Sequence, residues 1–310
     1  MRALVTGADG FVGRWLVAHL QSSGDQVTRL VRHAEADAEM ADLTHEDDIR
    51  HVVRSCEPEA VYHLAGVAFG PDARADVNEA VNVNVMGTLN VLEGCAALGK
   101  PPVVMIPSSG EVYSPRATPH AEDAAIGPVN AYGATKLAQE SVGLAYHHAE
   151  RVPVAVVRAF NHIGPGQRWD FSVPSFARQL AAMAEGGRSG TLRVGNLSAT
   201  RDFTDVRDVV AAYRMVVAGR LVGQPLNVAS GRAINIGEVV QRLIELSGVD
   251  VVIEVDPSRL RSVDVPVLIG DASKLRRLTG WRPQIPLETT LEDTWTDALA
   301  RVRSERAVGV

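Results

Sequence analysis

Thr6-Gly7-Ala8-Asp9-Gly10-Phe11-Val12-Gly13 is the stretch on which the reading of this chain turns. Ahead of it, residues 3–5 form a short apolar run ending in a β-branched residue. Behind it, Val12, Leu16 and Leu20 recur at helical spacing, with Trp15 and His19 beside them. Gly7, Gly10 and Gly13 therefore fall between a first strand and a first helix, the context in which this spacing binds a dinucleotide. Glycine permits the tight turn and lets the backbone approach a pyrophosphate, whose charge then meets amide N–H groups at the helix start. Any single glycine here could be no more than a turn; the position in the first turn of the chain carries the argument. Asp9, Phe11 and Val12 are cofactor-side candidates with the three glycines.

Outward from this stretch, short β-branched runs alternate with longer amphipathic ones, the pattern of βαβ units and a parallel sheet. Strands are expected at residues 27–31, 60–64, 103–106, 154–158 and 226–228, and helices near 44–55, 80–98 and 131–150. After Phe160 the texture changes: residues 161–166 are turn-rich, and residues 186–198 are rich in glycine and polar side chains. Helices follow around 236–246, 273–278 and 287–302. The expected architecture is α/β, a Rossmann-type doubly wound parallel sheet with a smaller mixed α/β C-terminal substrate lobe. The cofactor domain would take residues 1–160 plus about 205–232, and the substrate lobe about 161–204 plus 233–310.

Composition narrows the function classes. Of 310 residues, 46% are hydrophobic and 22% charged, which excludes disorder, collagen and coiled coil. With 31 basic and 37 acidic side chains the net charge is −6, and no polybasic run exists to grip nucleic acid or an anionic membrane. No 18 consecutive apolar residues occur, so no membrane span is expected. Residues 3–5 are too short for a signal-peptide core. Cys56 and Cys95 read as reduced thiols of a cytoplasmic protein.

The end of the second strand bears on cofactor choice. An Asp or Glu there usually receives the ribose 2′-hydroxyl of NAD. This chain has Thr28-Arg29-Leu30-Val31-Arg32-His33, with no carboxylate before Glu35. Arg29 or Arg32 could pair with a 2′-phosphate, which favours NADP(H), with NAD(H) the alternative. Asp42 and Leu43 lie where the chain should pass the adenine, and Leu64, Ala65 and Gly66 end a strand near the pyrophosphate.

Tyr132-Gly133-Ala134-Thr135-Lys136 opens a predicted helix, and positions i and i+4 share a helix face. A cation beside the phenol favours the phenolate and draws the tyrosine toward acid–base work. Ser108 and Ser109 end the strand at 103–106, at the carboxyl edge of the sheet, where a hydroxyl can donate to a carbonyl or alkoxide oxygen.

At this point the chain resembles a known family. The segment 6–13, Ser108-Ser109-Gly110-Glu111-Val112-Tyr113 and the Tyr132–Lys136 run are similar to those of extended short-chain dehydrogenase/reductases that act on nucleotide sugars. The resemblance covers nearly the whole chain. Residues 158–167 (Arg158-Ala159-Phe160-Asn161-His162-Ile163-Gly164-Pro165-Gly166-Gln167), 173–179 and 195–203 resemble GDP-4-keto-6-deoxy-D-mannose reductases. Residues 264–281 are similar to a segment those reductases share with GDP-mannose 4,6-dehydratases. The resemblance implies Ser109, Tyr132 and Lys136 as a catalytic triad, with Tyr132 the proton donor and Ser109 the carbonyl polariser. It implies Ser108, Asn161, Arg178, Arg193, Arg201 and Arg261 on the substrate side, with Asp264 toward the guanine. Arginine suits diphosphates through bidentate pairing, although each arginine could also be plain surface charge. Pro107, where a small residue is usual, and Ser262, where proline commonly follows the arginine, depart from the pattern.

Glu111 leaves the chemistry open. In dehydratases of this kind a carboxylate at that place removes the C5 proton; the alternative is a residue that orients the loop. Residues 163–166, Ile-Gly-Pro-Gly, differ from the dehydratase run and favour reduction of the C4 keto group of a GDP-4-keto-6-deoxy sugar. A dehydratase, a sugar 4-epimerase and a non-catalytic NAD(P)-binding sensor are the alternatives. The resemblance also implies a homodimer through helices near 80–98 and 131–150.

Overall fold

The computed structural model describes residues 1–187, 189–260 and 265–308. Its strands, in chain order, are β1 (Arg2–Thr6), β2 (Gln26–Val31), β3 (Glu39–Met40), β4 (Ala60–His63), β5 (Val103–Ser109), β6 (Val154–Ala159) and β7 (Asn161–Ile163). There follow β8 (Ser189–Val194), β9 (Thr200–Arg201), β10 (Phe203–Asp205), β11 (Pro225–Val228), β12 (Ile234–Asn235), β13 (Asp250–Val255) and β14 (Val267–Leu268). The helices are α1 (Phe11–Ser22), α2 (Glu46–Cys56), α3 (Gly70–Ala75), α4 (Val77–Val81), α5 (Gly87–Ala96) and α6 (Ala131–His148). Beyond them come α7 (Ser172–Gly186), α8 (Val206–Ala218), α9 (Ile236–Ser247), α10 (Ser273–Thr279) and α11 (Leu287–Val308).

Among the described residues, seven strands form one sheet in the order β11-β6-β5-β4-β1-β2-β3. Every pairing in it is parallel. Such a sheet must be covered on both faces, and its sequence shows why it is. Val5, Tyr62, Met105 and Val157 point into one apolar layer with Leu16, Leu20, Val209 and Val216 of α1 and α8. Leu4, Val61, Val104 and Val156 point into the other, with Ile49, Val53 and Leu92 of α2 and α5. The strand order reverses between β1 and β4, so a crevice opens above their carboxyl ends. A third apolar cluster, around Phe176, Leu180, Leu192, Leu243 and Leu291, belongs to α7, β8, α9 and α11 beside that crevice.

Two elements differ from expectation. The single helix expected near 80–98 is α4, a π-helical turn (Asn82–Met86) and α5. The turn widens where Asn84 points inward: its Nδ2 donates to the Val67 carbonyl (3.1 Å) and to Thr135 (3.0 Å), and its Oδ1 accepts from the Val67 amide (2.7 Å). Such bulges tend to mark functional sites. The glycine-rich stretch at 186–198 contains β8, which pairs in parallel with β13 from Ser189↔Asp250 to Val194↔Val255. Its partner lies some sixty residues on, beyond the reach of local composition.

Candidate active site

The turn after β1 is built by close approach. Gly7 has φ +65°, and a Cβ there would lie 2.8 Å from the backbone of Ala65. A Cβ on Gly13 would collide with the Gly7 carbonyl oxygen, so α1 can start this close to the strand only with glycine. Gly10 caps α1 without a side-chain hydrogen bond, leaving the first-turn amides to face the crevice. A cavity of about 1420 Å³ fills that crevice. Gly7, Asp9, Gly10, Phe11, Val12 and Gly13 line its floor; Leu64, Ala65 and Gly66 line the wall after β4.

At the β2 end the cavity meets Arg32, Asp42 and Leu43. Arg32 Nε stands 3.7 Å from Asp42. Hydrogen bonds from the Thr44 amide and hydroxyl hold the Asp42 carboxyl below its usual range. Arg29 is turned instead to Glu35 and does not line the cavity. Of the two arginines, Arg32 is the one placed to meet a ligand there.

β5 and α6 bring the other half of the site to the same space. Ser109 Oγ accepts from the Glu111 amide at 3.1 Å, capping a short 3₁₀ turn (Gly110–Val112). Asn130 caps α6 by accepting from the Gly133 amide at 2.8 Å, and its Nδ2 donates to Glu111 Oε2 at 2.7 Å. A Cβ on Gly133 would lie 2.5 Å from the Glu111 carbonyl oxygen, so the helix start is packed directly onto that turn. Tyr132, Lys136, Ser108, Ser109 and Glu111 all line the cavity. Burial, with the Glu111 carboxylate second, pushes the Tyr132 phenol above its ordinary value; the Ser109 hydroxyl, within hydrogen-bonding reach, pulls it down. Lys136 is 7% exposed, and burial lowers its ammonium to about 7. Ser108 Oγ and Asn161 Oδ1 are buried at this cavity without a hydrogen-bond partner among the described residues. Unpaired polar atoms of this kind are what a polar ligand satisfies.

On the far side, Arg201 is 7% exposed and lines the cavity, its Nη1 donating to the Thr200 carbonyl at 2.9 Å. Arg178 also lines it, bonded to Glu305 at 3.1 Å and lying over Trp169 at 5.5 Å. Arg193 does not. It sits on the exposed side of β8, because strand alternation turns Leu192 and Val194 inward and Arg193 outward. Arg261 and Asp264 lie outside the described residues.

Sequence reading missed the strap across the mouth. Arg168 pairs with Asp72 at 3.2 Å, and the Phe69 and Phe171 rings meet at 4.8 Å, joining α3 to the segment before α7. No periodicity marks such loop residues; Trp169 in a turn-rich stretch is the signal available.

Residues 4–294 match the family described as GDP-mannose 4,6 dehydratase. The chain belongs to that family. It is 36% identical over 308 residues to a GDP-6-deoxy-D-mannose reductase of Pseudomonas aeruginosa, covering 98% of this chain and 99% of that one. A GDP-6-deoxy-D-talose 4-dehydrogenase of Aggregatibacter actinomycetemcomitans is 28% identical, over 90% of this chain and 92% of its own. Among solved structures, RMD from Pseudomonas aeruginosa complexed with NADPH superposes with a TM-score of 0.87 at 34% identity, covering 97% and 99% of the two chains. The Rossmann-type fold and the placement of this family member in the nucleotide-sugar branch of extended short-chain dehydrogenase/reductases follow from these likenesses.

Proposed function

We propose that the protein is an NAD(P)H-dependent reductase of the C4 keto group of a GDP-4-keto-6-deoxyhexose, giving GDP-D-rhamnose or its C4 epimer. The observation that carries this is one continuous cavity of about 1420 Å³ joining the glycine turn to Ser109, Tyr132 and Lys136. That exceeds the roughly 300–1,000 Å³ of a single small-molecule pocket and suits a dinucleotide and a nucleotide sugar together. The near-full-length likeness to a GDP-6-deoxy-D-mannose reductase supports it.

The cradle fits the cofactor: Gly7, Gly10 and Gly13 line the cavity without side chains of their own, and Gly10 starts α1 with no side-chain cap over its first amides. Arg32 offers a partner for a 2′-phosphate, which supports NADP(H), with NAD(H) the alternative. Bound there, the cofactor supplies the hydride that adds to C4. Ser109 Oγ accepts from the Glu111 amide, and its proton, within reach of the Tyr132 oxygen, would turn to the sugar's carbonyl oxygen. As charge develops on that oxygen, Tyr132 gives it a proton, and Lys136, one helical turn on, offsets the phenolate left behind. Hydride and proton together turn the ketone into a secondary alcohol. Ser108, Asn161, Arg178 and Arg201 offer contacts to the nucleotide sugar.

The family match keeps a second reading, the 4,6-dehydratase, in which Glu111 would take a proton from C5. Its Oε2 is engaged by the cap residue of α6, which supports an orienting role instead. Purified protein mixed with the keto sugar and NADPH should consume the reduced-nicotinamide absorbance. Keto sugar formed from GDP-mannose alone would overturn the reductase reading, and NMR of the product at C4 separates the epimers.

The same reading takes residues 1–160 with about 205–232 as the cofactor half, and about 161–204 with 233–310 as the sugar-nucleotide half. It places the enzyme in the cytoplasm, in keeping with free Cys56 and Cys95, whose thiols burial pushes up. Among the described residues no helix is long and apolar enough to cross a membrane. A homodimer would pair α4, α5 and α6; Val77 and Val81 of α4 and Met86 of the π turn are exposed.

A further inference from the structure

Lys136 ends a buried chain of hydrogen bonds that starts in the glycine turn. The Ala65 amide donates to Thr6 Oγ1 (3.1 Å), and Thr6 Oγ1 meets His63 Nδ1 (3.0 Å). His63 Nε2 meets Thr88 Oγ1 (3.0 Å), and Gln139 Nε2 donates to the same oxygen (2.9 Å). Lys136 Nζ then donates to Gln139 Oε1 at 2.6 Å. Thr6, His63 and Thr88 are fully buried, and Gln139 is 1% exposed.

The direction of every link is fixed by what each group can do. An ammonium has only donors, so the Gln139 atom facing it is the oxygen, and the amide nitrogen must point to Thr88. Thr88 can accept there because its own proton goes to the Asn84 carbonyl at 2.6 Å. It therefore also accepts from His63 Nε2–H, and the Thr6 hydroxyl donates to Nδ1. His63 is a neutral Nε2–H tautomer, its pKa lowered to about 3 by burial and then by Lys136. An amide in the path stops proton conduction. The chain holds rather than relays.

We propose that Gln139 is a positioning residue: clamped by Thr88, its amide oxygen fixes the Lys136 ammonium in the cavity wall and stabilises its charged form. The consequence rests on the reading of Lys136 as the charge partner of Tyr132. A bare ammonium at this depth would lose its proton readily, because burial lowers it to about 7. The charged and titratable groups around it are Tyr132 on its own helix, neutral His63 from β4, and Glu111 beyond Tyr132. Among the described residues none of these is an anion hydrogen-bonded to the ammonium; the acceptor held against it is the neutral amide oxygen Gln139 Oε1. Gln139 also ties Lys136 to Thr88 at the start of α5, and through His63 to Thr6, whose neighbour Gly7 forms the cofactor cradle. The two halves of the site thus share one rigid polar network.

Gln139→Met removes the acceptor at similar volume, and Gln139→Glu replaces it with a charged one. The chain has three lysines, Lys100, Lys136 and Lys274, so ε-carbon NMR of lysine-labelled protein can follow Lys136 through a pH titration without cofactor or sugar. Its midpoint should fall by about one pH unit in Gln139→Met and rise in Gln139→Glu, with Lys100 and Lys274 unmoved. The alkaline limb of kcat for the keto sugar should move in the same two directions. A merely structural glutamine would lower the melting temperature or kcat and leave both midpoints in place. Unmoved midpoints, or shifts of one sign in both variants, overturn the proposal; should Gln139→Met fail to fold, Gln139→Glu alone decides by its direction. Because the titration needs no sugar, loss of the reductase reading would leave it standing.

Discussion

Tyr132 stands under opposing influences. Burial and the Glu111 carboxylate keep its proton on, while Ser109 pulls the other way. A phenol so held keeps its proton at neutral pH and releases it only where a cation offsets the phenolate as it forms. In the proposed mechanism that cation is Lys136, one helical turn on. Tyr132→Phe keeps the ring and removes the proton, so kcat should fall by about 10²–10⁴-fold. NADPH binding, followed by quenching of protein fluorescence, should stay within a few-fold of the native chain. Undiminished turnover would mean that the proton comes from elsewhere, and an NAD(P) sensor would be indifferent to the change.

Between elements, Asp202 fastens the β9–β10 segment to the loops beyond β11 and β14. It lies between β9 and β10 and accepts from the Ser230 amide (2.8 Å) and hydroxyl (2.6 Å) beyond β11. It also accepts from the Gly231 amide (2.8 Å) and the Gly270 amide (3.2 Å) beyond β14. Asp202→Ala leaves three backbone donors unpaired, each costing about 1–3 kcal/mol where water cannot reach. The melting temperature should drop by roughly 5–10 °C, read by calorimetry; a change of a degree would mean that water replaces the carboxylate. Elements of this kind explain what a sequence shows and hides. The Gly7–Gly13 turn and the Tyr132–Lys136 pair are legible because their geometry is set within one turn of chain. β8 was unreadable because β13 completes it from a distance, and the π turn because Asn84 earns its inward position from Val67 and Thr135. Arg193 points outward from β8, an orientation that only the strand's alternation reveals. Gln139 has no signature of its own in the sequence: a buried glutamine at helical spacing gains meaning only with Thr88 beside it.

For the whole molecule, the net charge of −6 counts nine histidines as neutral, and the fold enforces that for several of them. Burial lowers His63 to about 3 and His120 to about 4, and lowers His162 as well. In the unfolded chain each would titrate near 6.5. Between those values the unfolded state binds more protons, so stability is full above about pH 6.5 and is lost as pH falls toward 4. Asp202 and Asp208, raised by burial, act in the opposite sense, so the histidine share is best isolated by difference. His120 is suited to this: fully buried, stacked on Tyr113 at 4.9 Å, with both ring nitrogens unpartnered among the described residues. Lowered by burial, it contributes to the loss between pH 7 and pH 5. His120→Leu removes two unpaired nitrogens and the titration together. The melting temperature of that variant should fall less than the native chain's over the same interval, by a few degrees. A variant just as acid-sensitive as the native chain would assign the loss to His63, His162 and the paired carboxylates instead.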